Sequence, residues 1–164
     1  VFMLSEKILD ALNKQLNSEL YSAYLYLAMS AWFDYKGLKG LAHWMRVQAR
    51  EELEHAMKIY DYINDRGGRV VLDDVKAVKR EWSSVTEVFE HALEHERSVT
   101  KSIHDLLDLA RSEGDKATEV FLHWFVNEQV EEEKIFSEIL QLLRYGGETP
   151  QLILILDRQL AERK

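Results

Sequence analysis

The chain is nearly free of proline, and Pro150 is the only one among its 164 residues. Proline breaks the interior of a helix, so the sequence before Pro150 can form very long helices. Four segments with helical periodicity fill this region, and they are separated where glycine occurs, at Gly37, Gly67–Gly68, Gly114 and Gly146–Gly147. The pattern predicts four helices of about 30 residues, each about 45 Å long at 1.5 Å per residue.

Capping signals predict where these helices begin. Ser84 and Glu87 have the spacing of a capping box, in which each side chain bonds to the backbone of the other residue. Thr149, followed by Pro150 at the first helical position, predicts a short fifth helix. The predicted limits of the five helices are Ser5 to about Tyr35, Leu38 to Arg66, Ser84 to Gly114, Asp115 to Gly146, and about 149–162.

The lengths of the connections predict how the helices are arranged. The turns near residues 36 and 114 are short, so the helices on either side of each turn must be antiparallel. The connection 67–83 can extend to about 55 Å, enough to return along the bundle, and its VVLDDV stretch has the character of an extended strand. We therefore expect one all-α domain over residues 1–164. It consists of a four-helix bundle at about 5–145, with a crossover between helices 2 and 3, and the short fifth helix.

Composition excludes several classes of function. The chain has no cysteine, which rules out disulfides, zinc ribbons and thiolate catalysis. Its formal net charge of -8 opposes binding to nucleic acid or to anionic membranes. No apolar run approaches the roughly 20 residues of a membrane helix, and the N-terminal sequence VFMLSEKILD does not resemble a signal peptide. The cytoplasm is the expected location.

The inward-facing stripe of each predicted helix is interrupted by an acid. At spacings of three and four residues, apolar residues share a face with Glu19 on helix 1, Glu52 on helix 2, Glu96 on helix 3, and Glu128 and Glu132 on helix 4. The other members of the four stripes are Leu12, Leu16, Ala23, Tyr26 and Ser30 on helix 1; Met45, Ala49, Ala56, Ile59 and Ile63 on helix 2; Phe89, Ala92, Val99, Ile103 and Leu106 on helix 3; and Phe121, Trp124, Ile135 and Ile139 on helix 4.

The acids are predicted to lie at one height in the bundle. Glu19 and Glu52 are about equally far in sequence from the first turn, and Glu96 and Glu132 from the second. In an antiparallel pair of helices, such residues lie at the same height along the bundle axis. Buried carboxylates that lie together must be protonated, paired with bases or bound to cations. No lysine or arginine interrupts the stripes near them, and His55 lies one turn from Glu52 on the same face. Carboxylate oxygens with one imidazole favour iron or manganese, so the pattern predicts a site for two metal ions.

Simpler interpretations of these residues stay open. A single acid on an apolar stripe is more often a solvated residue or a misassigned face, and a lone histidine is more often hydrogen-bonded in the core. The metal site therefore requires all four acids to be level. His91, His95, His104 and His123 lack such a setting and are interpreted as surface or hydrogen-bonded residues, and Glu133 as part of a solvated face.

Four stretches that contain these acids form a combination typical of one protein family. They are LNSELYSAYLYLAMSAWFD, GLKGLAHWMRVQAREELEHAMKIYDYINDRGGRV, EHALEHERSVTKSI and FLHWFVNEQVEEE. Together they resemble the non-haem ferritins of bacteria and archaea, and the resemblance covers essentially the whole chain, including the last helix. It implies the ferritin-like bundle and a ferroxidase that oxidises Fe(II) with dioxygen or hydrogen peroxide and stores the iron.

The resemblance also implies roles for individual residues. The first iron is implied at Glu19, Glu52 and His55, and the second at Glu52, Glu96 and Glu132, with Gln129 nearby and Glu52 bridging the two. A third, weaker iron site is implied at Glu51, Glu128, Glu131 and Glu132. Tyr26 and Trp124 are implied to supply electrons beside the centre, which makes Tyr26 a further catalytic residue.

Related families fit less well. Haem-containing bacterioferritins have a methionine after the bridging glutamate and a second Glu-x-x-His, whereas this chain has Leu53 and Gln129-x-x-Glu132. Rubrerythrin-like peroxidases need a cysteine-ligated iron, and miniature ferritins lack the last helix and bind iron between subunits. No haem is therefore expected.

Storage of iron needs a container, which a single bundle lacks. The five consecutive apolar residues from Leu152 to Leu156 would point in all directions around a helix, and one subunit cannot cover all of them. Part of the run is therefore expected to lie between subunits. The alternative is a fifth helix folded onto its own bundle. The resemblance adds a homo-oligomeric shell of 24 subunits. Two other functions stay open: a di-metal oxidase or peroxidase that stores nothing, and a scaffold whose acids are inert.

Overall fold

Five helices make up most of the structure, a computed structural model that describes residues 3–164. They are α1 Glu6–Tyr35, α2 Lys39–Asp65, α3 Val85–Ser112, α4 Lys116–Gly146 and α5 Pro150–Leu160. No strand occurs among the described residues, so VVLDDV in the connection 66–84 is irregular and lacks the strand character expected from its sequence. Val1 and Phe2, which the predicted domain includes, lie outside the described residues. Within the described range, no helix combines the length and apolar character needed to cross a membrane.

The predicted helix limits are confirmed to within two residues, and a side chain caps the N-terminus of every helix except α2. The N-cap side chains that accept a hydrogen bond from a backbone N–H of the first turn are Ser5, Ser84, Asp115 and Thr149. Only half of the predicted capping box forms. Ser84 Oγ accepts from Glu87 N–H at 3.0 Å, whereas the Glu87 carboxylate accepts from the N–H of Ser83, one residue earlier.

A polar layer divides the apolar interior into two clusters. The layer consists of the buried side chains Gln15, Glu19, Gln48, Glu52, His55, Glu96, Gln129 and Glu132. The first cluster is rich in aromatic side chains and includes Tyr26, Phe33, Trp44, Phe89 and Phe136. The second cluster is mainly aliphatic and includes Ile8, Leu12, Ile59, Ile103 and Leu122. Each of the four long helices has residues in both clusters and therefore crosses the polar layer.

The order of the layers along each helix gives its direction. On α2 the chain passes from Ala49 in the first cluster through Glu52 to Ile59 in the second, and on α3 from Leu93 to Val99. The order is reversed on α1 and α4. Helices α2 and α3 are therefore parallel and are joined by the crossover, and each is antiparallel to its hairpin partner, as the sequence predicts.

Helix α5 lies against the N-terminal end of α2 in the same subunit. The N-cap residue of α2 provides no side-chain hydrogen bond, and Asp157 Oδ1 of α5 accepts instead from Leu41 N–H at 2.9 Å. In the apolar run of α5, Leu156 is buried, whereas Leu154 and Ile155 are 64% and 55% exposed. Part of this run therefore packs on its own bundle, and part of it faces away from the subunit.

Gly40 permits the close approach of α2 and α5. A Cβ at this position would lie 1.7 Å from the carbonyl oxygen of Asp157, a backbone atom that cannot move without α5. We expect Gly40→Ala to displace α5 and to lower the Tm by about 5 °C, since overpacking of this kind costs about 1–3 kcal/mol. Thermal unfolding measures the change. Gly146→Ala is the matched control, because its Cβ would meet the flexible end of the Leu152 side chain, and an equal Tm for the two variants would contradict the packing.

Candidate metal centre

The four acids that interrupt the predicted stripes meet in the polar layer. Glu19, Glu52 and Glu96 are 1% exposed and Glu132 is 2% exposed. Each comes from a different helix, in order from α1 to α4. The structure therefore places all four at one level of the bundle, as the helical spacing predicts.

Two overlapping groups of side chains have the geometry of cation sites. Glu19, Glu52 and His55 each offer one ligand atom within 4.8 Å of the others, and so do Glu52, Glu96 and Glu132. Because Glu52 belongs to both groups, its carboxylate is placed to bridge two cations. His55 Nδ1 lies 3.3 Å from Glu52 Oε2 and 3.8 Å from Glu19 Oε2.

Two buried amide side chains, Gln48 and Gln129, hold three of the carboxylates. Gln48 Nε2 donates to Glu52 Oε1 at 2.9 Å and to Glu132 Oε2 at 2.7 Å. Gln129 Nε2 donates to Glu96 Oε2 at 3.0 Å. Hydrogen bonds of this kind orient the oxygens that remain free for a cation. The sequence points to Gln129 only through the family resemblance, and it does not point to Gln48.

Residues of α1 bind two of the acids as well. Tyr26 Oη donates to Glu96 Oε1 at 2.5 Å, and Gln15 Nε2 donates to Glu19 Oε1 at 3.2 Å. The other oxygen of Glu19, Oε2, is buried and has no hydrogen-bond partner among the described residues. A buried acceptor in this state is costly, and a bound cation would satisfy it.

Burial makes the acids of the centre hard to ionise. Burial raises the pKa of Glu52 to about 8, and burial with the charge of Glu52 raises the pKa of Glu96 to about 8. Burial with the charges of Glu52 and Glu96 raises the pKa of Glu132 to about 10. Burial on its own lowers the pKa of His55, but interactions with the Glu19 and Glu52 carboxylates raise it to about 11. The metal-free centre therefore carries protons at neutral pH, and a cation would displace them.

The two aromatic residues singled out in the sequence lie in different settings. Tyr26 is completely buried, and burial together with the charges of Glu96 and Glu52 raises the pKa of its phenol well above the usual value. It therefore stays protonated and donates to Glu96. Trp124 is 38% exposed, and its ring meets that of His55 edge-on with centroids 5.2 Å apart.

The predicted inward stripe of α4 is wrong before Glu132. The buried side chains before Glu132 are Thr118, Leu122, Phe125 and Gln129, whereas Trp124 is exposed and Phe121 and Glu128 are half-buried. Phe121 stacks on Tyr62 of α2 with ring centroids 4.0 Å apart. Some aromatic residues of α4 thus lie beside the buried face, at the rim of the bundle. Because they are apolar, the sequence pattern assigned them to the buried face.

The residues implied to form a third iron site are not gathered into one group. Glu128 and Glu132 form a third cation group with His55, whereas Glu51 and Glu131 belong to none of the groups among the described residues. Glu131 is exposed, and Glu51 is paired with an arginine that follows α5. A third site at Glu51, Glu128, Glu131 and Glu132 stays a prediction.

The remaining histidines of the prediction are hydrogen-bonded or exposed. His95 Nε2 lies 2.7 Å from Ser22 Oγ, and His91 Nδ1 accepts from a tryptophan N–H at 3.1 Å. His104 and His123 are exposed. Among the described residues, none of these histidines belongs to a cation group, in agreement with their interpretation from sequence.

Known proteins share both the sequence and the fold. The Ferritin family model, described as a ferritin-like domain, matches residues 9–145. A bacterial non-heme ferritin of Bacteroides fragilis is 44% identical over 98% of this chain and 100% of its own length, and one of Staphylococcus epidermidis is 44% identical over 98% of this chain and 97% of its own. The crystal structure of an open pore ferritin from the hyperthermophilic archaeon Archaeoglobus fulgidus matches with a TM-score of 0.97 and 52% identity, covering 98% of this chain and 99% of that one. The chain belongs to the ferritin family.

Proposed function

We propose that this ferritin oxidises Fe(II) to Fe(III) at a di-iron centre and stores the product as a ferric mineral inside a shell of identical subunits. The proposed iron ligands are Glu19, Glu52, His55, Glu96 and Glu132. Membership of the ferritin family supports iron storage. The observation that carries the oxidation step is that Glu52 belongs to two cation groups at once, in a layer whose acids are at most 2% exposed.

Charge balance favours two divalent cations over one. When ionised, Glu19, Glu52, Glu96 and Glu132 carry four negative charges, and two Fe(II) ions carry four positive charges. With His55 as a neutral ligand, the buried centre then has no net charge, which avoids the cost of burying unpaired carboxylates. With a single divalent ion, two of the four carboxylates would have to stay protonated or lie buried without a partner.

Each Fe(II) ion gives up one electron when it is oxidised. Reduction of dioxygen to hydrogen peroxide consumes two electrons and two protons, so one iron pair supplies the electrons for one dioxygen molecule. Anionic oxygen ligands favour Fe(III) over Fe(II), which makes the bound iron easier to oxidise. Because carboxylates bind through one oxygen or two, the same ligands can release Fe(III) to the mineral.

Two neutral side chains complete the proposed centre. Gln129 and Tyr26 bind opposite oxygens of Glu96, at Oε2 and Oε1, and so fix this carboxylate beside the second iron. The phenol of Tyr26 is separated from the iron pair by one carboxylate. We assign it the supply of a further electron, with its proton passing to Glu96. Together with one electron from each iron of the pair and one from an Fe(II) ion at the third site, this electron would complete the four that reduce dioxygen to water.

Family membership is the ground for three further parts of the proposal. They are a third iron site at Glu51, Glu128, Glu131 and Glu132, a 24-subunit shell, and a cytoplasmic location. The exposed Leu154 and Ile155 of α5 support assembly, since large apolar side chains exposed together mark contact surfaces. Light scattering with and without iron, at several salt concentrations, tests assembly. A mass of one or two subunits under all of these conditions would contradict it.

Anaerobic titration with Fe(II), followed by addition of oxygen, tests the function itself. We expect about two Fe(II) ions per subunit to bind tightly at the centre. Oxygen should then oxidise them, and further iron should build a growing mineral particle. Retention of only about two iron atoms per subunit would favour a di-metal oxidase that stores nothing. Oxidation no faster than in buffer alone would contradict the proposal.

The affinity for Fe(II) is expected to depend on pH. The raised pKa values of Glu52, Glu96, Glu132 and His55 mean that a cation competes with protons for these groups. We therefore expect the affinity to rise from about pH 6 to about pH 8, with protons released on binding. Anaerobic calorimetry in two buffers of different ionisation enthalpy measures both quantities. Binding that releases no protons would show that these acids are not the ligands.

A further inference from the structure

Arg163, which follows α5, is held against α2 by several contacts. Its guanidinium lies over the Trp44 ring at 4.3 Å, and Nη1 donates to the Trp44 carbonyl at 3.2 Å. Nη2 donates to Gln48 Oε1 at 2.9 Å and to Glu51 Oε2 at 2.7 Å. His43 Nε2 lies 2.6 Å from the backbone oxygen of Arg163. A guanidinium with stacking and hydrogen-bond partners on this many sides is fixed in one orientation.

The amide of Gln48 connects Arg163 to the metal centre. A guanidinium has donors only, so it holds the oxygen of the amide on its own side. The nitrogen of the amide then points away from Arg163 and donates to Glu52 Oε1 and Glu132 Oε2. Glu52 and Glu132 are acids that each belong to two of the cation groups.

Arg163 therefore fixes the orientation of the Gln48 amide, and with it the hydrogen bonds from Gln48 to the two carboxylates. Without the guanidinium, the oxygen of the Gln48 amide loses a charged donor, and a rotation of the amide would take its nitrogen away from both acids. Arg163 has no lone pair to offer a cation, so it cannot itself be a ligand of the centre. Gln48 is completely buried, which leaves few alternative partners for its amide.

We propose that Arg163 is a positioning residue of the iron centre, acting through Gln48 on Glu52 and Glu132. The inference rests on the proposed function of these two acids as iron ligands. Because Asp157 of α5 also binds the N-terminal end of α2, the stretch from Asp157 to Arg163 is tied to α2 at both of its ends. A displacement of the C-terminal helix would therefore move Arg163 and change the geometry of the centre.

Binding of Co(II) to the full chain tests the inference. Co(II) binding can be measured in air, and the visible spectrum of Co(II) depends on the number and geometry of its ligands. We expect Arg163→Gln to weaken Co(II) binding about three- to tenfold and to change the spectrum at saturation, a smaller loss than the 10–100-fold typical of a direct partner of a ligand. Arg158→Gln is the matched control, since Arg158 is exposed in the last turn of α5, and both its affinity and its spectrum should equal those of the wild type.

A double-mutant cycle with Gln48→Leu separates positioning from a general effect on folding. If Arg163 acts through Gln48, Arg163→Gln should have no further effect on the affinity or spectrum of the first two Co(II) ions per subunit once Gln48 is replaced. Arg163→Lys, which keeps the charge but not the planar set of donors, should recover part of the affinity. Equal losses in both backgrounds, or a wild-type spectrum for Arg163→Gln, would overturn the inference. Failure of the wild type to bind Co(II) would contradict the proposed function and the inference with it.

Discussion

Replacement of Glu52 by glutamine is expected to slow Fe(II) oxidation more than any other single change in the centre. The amide keeps the size of the side chain but removes the charge and one of the oxygens that serve both cation groups. Loss of a partner of a ligand already costs about 10–100-fold in affinity or activity, so loss of the shared ligand should cost at least about 100-fold. Stopped-flow absorbance of Fe(III), with about two Fe(II) ions per subunit, measures the rate.

Glu54→Gln is the matched control for this experiment. Glu54 lies two residues away on α2 and is exposed, so its replacement removes one negative charge without reaching the polar layer. Its oxidation rate should equal that of the wild type. A wild-type rate for Glu52→Gln would favour a scaffold with inert acids instead.

Glu132→Gln is expected to make the metal-free protein less sensitive to rising pH. In the folded chain, burial and then the charges of Glu52 and Glu96 raise the pKa of Glu132 from 4.5 to about 10. The folded state therefore binds more protons than the unfolded state between these values. The resulting stabilisation is complete below the unfolded pKa and is lost as the pH rises toward the folded pKa. One proton of difference corresponds to about 1.4 kcal/mol per pH unit.

The variant removes this proton and keeps an oxygen that can accept from Gln48. From about pH 6 to about pH 8, we expect the Tm of Glu132→Gln to fall by roughly 5–10 °C less than that of the wild type. Thermal unfolding of protein treated with a chelator measures the difference, and Glu131→Gln, an exposed position on α4, is the control. Parallel pH profiles for Glu132→Gln and the wild type would show that Glu132 is already ionised in the folded chain.

The helices and their connections could be predicted because the signals for them are local. Gly37 and Gly147 have φ values of 81° and 65°, which residues with a side chain rarely adopt, so glycine marks the places where helices end. The topology followed from the lengths of the connections. VVLDDV did not form a strand because an extended segment needs a partner strand, and none exists among the described residues.

The acids of the centre could be predicted because a charge inside an apolar stripe breaks the helical pattern. Their amide partners carry no charge, so the stripe pattern predicted none of them, and Gln129 was implied only by the family resemblance. A signal for them does exist, since Gln15 precedes Glu19 by four residues and Gln48 precedes Glu52 by four, a spacing at which side chains meet on a helix. The contact of Arg163 with Gln48 depends on where α5 docks, which no local pattern specifies.

Everything proposed for this ferritin depends on the buried acids holding a pair of cations. Anomalous X-ray diffraction at the iron edge, from crystals exposed to Fe(II) without oxygen, locates bound iron independently of activity. We expect two peaks per subunit, about 3.5–4 Å apart, one among Glu19, Glu52 and His55 and the other among Glu52, Glu96 and Glu132. Peaks at exposed acids alone, with none in the polar layer, would contradict this expectation.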